Sequence, residues 1–233
     1  MQKILLTALV AGVIAGLSTF ALQTVKLTPL ILQAEVYEEA AEKNEEEHSH
    51  AVNKAEHHHD AASWEPANGL ERNAYRLLAD IGMGVGFALM LVGAFSLREE
   101  KIDAKTGMLW GLAGFATFSL APNFGLPPEL PTTLAADLGD RQIWWIATAL
   151  ATAVGIYSIA FSKSNLLKIL GVVVLALPHI IGAPHAPVGG IVPTELNAQF
   201  AASSLATMAL FWIVLGATSG WFYGRKTNQP AAQ

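Results

Sequence analysis

Six stretches of this chain are apolar for about the length a helix needs to cross a bilayer: Ile4 to Val25, Leu77 to Leu97, Gly107 to Ala121, Ile143 to Phe161, Leu166 to Ile181 and Phe200 to Tyr223. Crossing about 30 Å of hydrocarbon takes about 20 residues at 1.5 Å each. Inside lipid every backbone N–H and C=O must find its partner within the protein, which restricts spanning segments to helices and closed barrels. Continuous apolar runs of this length favour the helix, so the sequence predicts an all-α polytopic membrane protein with about six transmembrane helices. The third and fifth stretches are short, about 15 residues, and five spans with one of these re-entrant is the other count. The first stretch follows Lys3 and resembles a signal peptide. It is long for one and lacks a small-x-small cleavage site, so it reads as an uncleaved first span.

Composition agrees, since 52% hydrophobic and 14% charged residues are too apolar for an ordinary soluble domain. The net charge of -5 comes largely from one acidic segment and says little about partners. With no cysteine there is no disulfide framework, thiolate metal site or Cys nucleophile, and any metal must be held by imidazole, carboxylate, carbonyl or water. No basic cluster of the kind that follows phosphate backbones is present, which argues against nucleic acid as a partner and leaves membrane lipid as the expected one.

Lys and Arg set the orientation. With six spans and the N-terminus inside, the cytoplasmic segments carry Lys3, then Arg98, Lys101 and Lys105, then Lys163 and Lys168, then Arg225 and Lys226, while the short outer loops carry only Arg141. A five-span count would spoil that bias. The expected layout is a first helix in 1–25, an outward-facing acidic loop in 26–76, five further spans in 77–223, and a cytoplasmic tail in 224–233.

The loop contains EEEHSHAVNKAEHHHD, residues 45 to 60, with five of the chain's seven histidines: His48, His50, His57, His58 and His59. The residues from Glu35 to Asp60 mostly favour helix, but no two histidines stand four apart, so no rigid helical pair is encoded. The HHH run suits a flexible chelate completed by Asp60, Glu56 or His48, for divalent Co, Ni, Zn or Cu without selectivity. Capture would weaken below about pH 6.5, where free imidazole protonates. The other reading is a solvated acidic linker. His179 and His185 lie at the outer end of the fifth span, so all seven histidines fall on or near one face.

Glycines recur four apart at Gly12/Gly16, Gly82/Gly86, Gly107/Gly111 and Gly216/Gly220, a spacing that lets helices pack closely in lipid. The outer ends of spans three and five echo one another: LAPNFGLP from Leu120 and LPHIIGAP from Leu177, each followed by a Glu-Leu pair, Glu129-Leu130 and Glu195-Leu196. This suggests duplicated helical hairpins, with prolines breaking both helices at matching depth and Asn123 and His179 facing a shared outer vestibule. Chance likeness of two Pro/Gly-rich loops is the alternative.

An ionisable residue inside a span needs a reason. Asp80 lies about one turn into span two, four residues after Arg76, and reads either as an interfacial ion pair or as a carboxylate at the mouth of a pathway. His179 reads as a structural histidine or as a metal or proton ligand. Glu129, Asp137, Asp140 and Glu195 are outer-loop acids that together would draw cations. Interfacial anchoring accounts for most of Trp64, Trp110, Trp144, Trp145, Trp212 and Trp221. Neither a Walker A sequence, an HExxH site nor a Ser/His/Asp constellation is present, so the expectation is a protein that is not an enzyme.

Several stretches, taken in order, carry a resemblance. They are Thr28 to Glu38 (TPLILQAEVYE), Trp64 to Arg72 (WEPANGLER), Leu109 to Phe115 (LWGLAGF), Leu126 to Pro131 (LPPELP), Arg141 to Trp145 (RQIWW) and Leu177 to Pro184 (LPHIIGAP). Their order and spacing resemble the predicted cobalt transporter subunit CbtA family over nearly the whole chain. The resemblance implies a bacterial inner-membrane protein of cobalt uptake, linked to cobalamin supply and working with CbtB, a small single-span subunit with a His-rich tail. It carries over the matched positions Glu35, Glu65, Glu129 and His179 as candidates.

The reading is a transport subunit for a divalent transition metal, Co2+ first, with the loop as collector and His179, Asn123, Glu129 and Asp80 as the path. The candidate metal ligands are His48, His50, His57, His58, His59, His179, His185, Glu35, Glu65 and Glu129. Association into a homo-oligomer is a further partner reading. The alternative function is an outward-facing metal sensor or buffer that binds and does not translocate.

Overall fold

The computed structural model describes residues 2–49, 66–67, 69–98, 101–131, 133–187 and 190–227, with the backbone alone for 42, 44–49 and 226–227. Among them all regular secondary structure is helical. In order come α1 (Gln2–Lys26), α2 (Thr28–Ser49), α3 (Leu70–Ser96), α4 (Ala104–Phe115), a π-helical turn (Ala116–Leu120), α5 (Ala121–Gly125), α6 (Leu138–Phe161), α7 (Asn165–Ile181) and α8 (Thr194–Thr227). Helices α1, α3, α6 and α8 are long and apolar enough to cross a membrane, and α7 is apolar but shorter. Helix α4, the π turn and α5 run on without interruption over residues 104–125. The chain is an all-α polytopic membrane protein whose two short apolar stretches form its two shorter rods.

Two antiparallel helix pairs meet along seams where glycine lets backbone touch backbone. A Cβ on Gly12 would stand 2.5 Å from the Val85 Cα, and one on Gly16 2.7 Å from the Ile81 Cα, so α1 and α3 leave no room there for any side chain. Helix α4 meets α8 in the same way: a Cβ on Gly107 would lie 2.7 Å from the Gly220 Cα, and one on Gly216 2.8 Å from the Gly111 Cα. The pair expected at Gly82/Gly86 is not part of a seam among the described residues, because a Cβ on either meets none of their atoms within 4 Å. Gly84 faces α1 instead, since α3 turns about 100° per residue and buries the stripe Asp80, Gly84, Ala88, Leu91 and Phe95.

The core lies among α1, α3, α4 and α8, where Ala8, Ala11, Ala15, Phe95, Phe211, Trp212 and Leu215 are buried. Two tryptophans expected as interfacial anchors are packed inside. Trp212 stacks on Phe118 at 5.9 Å and donates its indole N–H to Ser119 Oγ at 3.2 Å, and Trp144 is also buried. A buried indole needs such an acceptor, and each of these finds one.

Contacts at the helix ends define two faces. Phe95, Trp110, Phe161 and Tyr223 gather at the face that holds the start of α1 and the end of α8, where Arg98 lies 4.2 Å over the Phe161 ring. The opposite, loop face holds the connections after α1, α5 and α7. There α2 folds back, and its Leu30 and Ala34 pack with Leu130, Val192 and Leu196.

Side-chain oxygens start two helices at the positions where N–H groups lack helical partners. Asp103 caps α4 by accepting from the Thr106 N–H at 2.7 Å, which holds its carboxyl below the usual carboxylate range. Asp137, an outer-loop acid by sequence, caps α6 by accepting from the N–H groups of Gly139 and Asp140. Helices α6 and α7 form a hairpin, with Gly155 against Gly171, that leans on the rest of the bundle through the π turn and α5.

Candidate functional site

Two prolines shape the loop face without breaking their helices as the sequence led us to expect. Pro122 sits in the first turn of α5, just after the π turn. There the Ala121 N–H reaches back five residues to the Ala116 carbonyl, so the wider turn absorbs the disruption a proline brings to regular spacing. Pro178 stands inside α7, which continues to Ile181 and ends at Gly182 with φ 90° and ψ 153°. The buried Trp144 of α6 donates its indole N–H to the Pro178 carbonyl at 3.3 Å, tying the hairpin together at that level.

The two Pro/Gly loops converge on one cavity of about 900 Å³. Leu120, Ala121 and Phe124 to Pro127 line one side, and His179 and Gly182 to Ala186 the other. Glu129 and Trp144 also line it, and Thr152, Ile156 and Leu175 close its deep end. Thr152 is the fifteenth residue of α6, so the cavity reaches roughly 20 Å along that helix. A second cavity of about 570 Å³ adjoins it and is lined by Asn123, Glu129, Arg141 and Gln142 among others.

Glu129 lines both cavities and accepts from Arg141 Nη2 at 3.3 Å. His179 stands edge-on between Phe124 and Trp144, with ring centroids 6.2 and 6.1 Å away. Both His179 and His185 are exposed, which leaves their ring nitrogens open to an ion or water. Asn123 opens into the second cavity and not into the one that His179 lines. Among the described residues no three His, Asp or Glu side chains come close enough to hold one ion together. Among the described residues the chamber therefore offers its donors singly or in pairs.

Two further candidates lie elsewhere. Glu35 on α2 accepts from Arg72 Nη2 at 2.9 Å, an ion pair that pins α2 to the start of α3. Asp80 lines neither cavity; it is 6% exposed and accepts at Oδ1 from Gln23 Nε2 at 3.2 Å. The ion pair with Arg76 that its spacing suggests is not among the pairs formed by the described residues. Arg76 donates to Thr28 Oγ1 at 2.7 Å and to Thr24 Oγ1. His50, His57, His58, His59 and Glu65 lie outside the described residues, as does the side chain of His48.

Thr152 went unnoticed in the sequence. Hydroxyls in apolar helices usually bond back to a carbonyl one turn earlier, as Thr19 does to Ala15, Thr207 to Ser203 and Thr218 to Val214. The Thr152 hydroxyl is buried without a partner among the described residues. Residue type and spacing do not separate it from its neighbours.

No curated protein and no solved structure matches the chain. The family described as Probable cobalt transporter subunit (CbtA) matches residues 1–224, and the chain belongs to that family.

Proposed function

We propose that this protein is the polytopic subunit of a divalent transition-metal uptake system, with Co2+ as its cargo, and that the loop-face cavity is the entrance to its ion path. The convergence of the two Pro/Gly loops on one chamber, with His179, His185 and Glu129 on its wall, carries this reading. Imidazole and carboxylate are donors a divalent first-row metal accepts. Donors spread along a chamber, instead of gathered into one tight site, suit passage, because an ion held tightly once is not released.

The loop face is directed outward and both termini lie in the cytoplasm of a bacterial cell, with the inner membrane as location. The support is the Lys and Arg bias toward the termini face. The His/Glu-rich segment around His48, His50 and His57 to His59 collects the ion ahead of the chamber. A small single-span, His-rich subunit of the CbtB kind is the expected partner.

Radiolabelled cobalt uptake in cells carrying the chain and that partner tests this. His179→Ala is expected to cut uptake at limiting metal about tenfold. Deletion of residues 48–59 is expected to raise the metal concentration needed while sparing the maximal rate. Binding without accumulation would mean a sensor or buffer, and normal uptake by His179→Ala would remove the chamber from the path.

A further inference from the structure

Asp80 is the only acidic residue in the six apolar stretches, and the path proposed above does not use it. It lies on the tight α1–α3 seam: a Cβ on Gly16 would stand 2.8 Å from its carbonyl oxygen. The side chain points back along α3 toward the loop face, as helical side chains do, and meets Gln23. One carboxyl oxygen accepts from Gln23, while the other, Oδ2, is buried with no hydrogen-bond partner among the described residues.

The neighbouring cation behaves in a telling way. Arg76 precedes Asp80 by four residues on the same helix, the spacing at which an arginine and an aspartate reach one another. Yet its guanidinium goes to the neutral hydroxyls of Thr24 and Thr28 and lies 4.9 Å over the Phe20 ring. Its Nε is buried and, among the described residues, unpartnered, as Oδ2 of Asp80 is. An ionised carboxylate removed from water would capture that donor, because an unpaired buried charge is far costlier than an unpaired hydroxyl. The arrangement is that of a carboxylic acid beside an arginine engaged elsewhere.

Among the described residues no other charged group offers compensation. Helix α1 has no titratable residue between Lys3 and Lys26, and α8, which also packs on α3, has none between Glu195 and Tyr223. Lys26 is exposed, and Glu35 of α2 is held by Arg72.

We propose that Asp80 is an exchangeable proton site in the α1–α3 contact, and that Arg76 switches between the two threonines and the carboxylate as that proton comes and goes. The proton arrives from water at the loop face and forms an O–H bond at Oδ2; on release it returns to water, and no other covalent bond changes. With the proton bound, Arg76 holds Thr24 and Thr28; with it lost, Arg76 turns to Asp80 and frees the ends of α1 and α2. Resting on the transport reading above, this makes proton binding the partner reaction of ion uptake.

Infrared spectra of the full chain in lipid vesicles test the site without reference to transport. The wild type is expected to show a carboxylic-acid C=O band at neutral pH that Asp80→Asn removes. If the two proteins do not differ there, the proton site is wrong. Uptake of radiolabelled cobalt against external pH tests the coupling. Asp80→Asn, which is neutral and nearly isosteric, is expected to fold in normal yield, lose at least tenfold in uptake and lose the pH dependence, and Asp80→Glu to recover part of both. Wild-type uptake and pH profile in Asp80→Asn would overturn the coupling. A wild type that shows the band and takes up no cobalt would sink the transport reading while leaving the proton site standing.

Discussion

The α1–α3 seam and the loop-face cavity each place ionisable side chains among apolar helices, and they solve the packing around them in opposite ways. Gly12, Gly16 and Gly84 bring two backbones into contact along the seam, and Asp80 is sealed between them. Around the cavity the walls are built from Trp144, Phe124, Ile156 and Leu175 with prolines between them, and the histidines are exposed. Lipid gives helices no hydrophobic reward for pressing together, so closeness depends on residues small enough to permit it. Where glycine lines both partners the contact closes; where bulky side chains meet an in-helix proline or a π turn, space is left. The first arrangement suits a group that carries a proton, the second a chamber through which an ion moves.

The comparison breaks most visibly at Gly84. Gly84→Leu forces a side chain into the backbone of α1 and is expected to cost at least about 3 kcal/mol, the upper end of overpacking penalties, or to abolish the folded yield. Gly86→Leu, two residues away, projects into open space and is expected to stay within about 0.5 kcal/mol of the wild type. Denaturant unfolding of both proteins in the same lipid or detergent measures the difference. Equal losses would mean that the seam is not where α1 and α3 hold each other.

That pair also marks how far the sequence could be read. Six apolar stretches, the shortness of the third and fifth, and small-residue seams at Gly12/Gly16, Gly107/Gly111 and Gly216/Gly220 all follow from length, hydropathy and spacing. Which glycines of the Gly82, Gly84, Gly86 run face α1 depends on the rotation of α3 about its axis, and a run with glycine at every second position leaves that phase open. LAPNFGLP and LPHIIGAP pointed to the meeting of the two Pro/Gly loops at one cavity, but not to the place of Asn123, which opens into the second cavity instead of the one that His179 lines. The π turn that carries the chain past Pro122, and the Trp144 bond to Pro178, were not, since both are tertiary answers to a proline. Asp80 drew notice as a charge in a span, but four-residue spacing pointed to Arg76, whereas Thr24, Thr28 and Gln23 reach the pair from other helices.

Gly182 probes the cavity side at intermediate strength. Its φ of 90° with ψ 153° belongs to a region that side chains avoid, and a Cβ there would meet nothing within 4 Å, so the penalty of Gly182→Ala is conformational and not steric. We expect about 1–3 kcal/mol of lost stability, together with reduced cobalt uptake, because the turn sets His179 and His185 on one wall. Gly69 offers the matching control: its φ is 100°, a Cβ there would meet nothing within 4 Å among the described residues, and it precedes α3 as its N-cap, lining neither cavity. Gly69→Ala should lower stability by a similar amount while leaving uptake at the wild-type level. If both variants lose uptake alike, destabilisation and not cavity geometry is the cause.

The smallest effect on stability, and the sharpest separation of stability from function, belongs to the ion pair at the cavity rim. Glu129 and Arg141 are partly exposed, with side chains 24% and 32% accessible, and such pairs contribute about 0–1 kcal/mol. Either Glu129→Gln or Arg141→Gln should therefore unfold within about 1 kcal/mol of the wild type. Their effects on uptake should have opposite signs. Glu129 is the carboxylate on the wall of both cavities, so removing its charge should lower uptake severalfold at limiting cobalt and weaken the dependence of uptake on ionic strength. Removing Arg141 releases that carboxylate from its partner, and uptake at limiting cobalt should rise. If both substitutions lower uptake to the same extent, the pair holds the loop before α6 in place, and the ion does not meet the Glu129 charge on its way in.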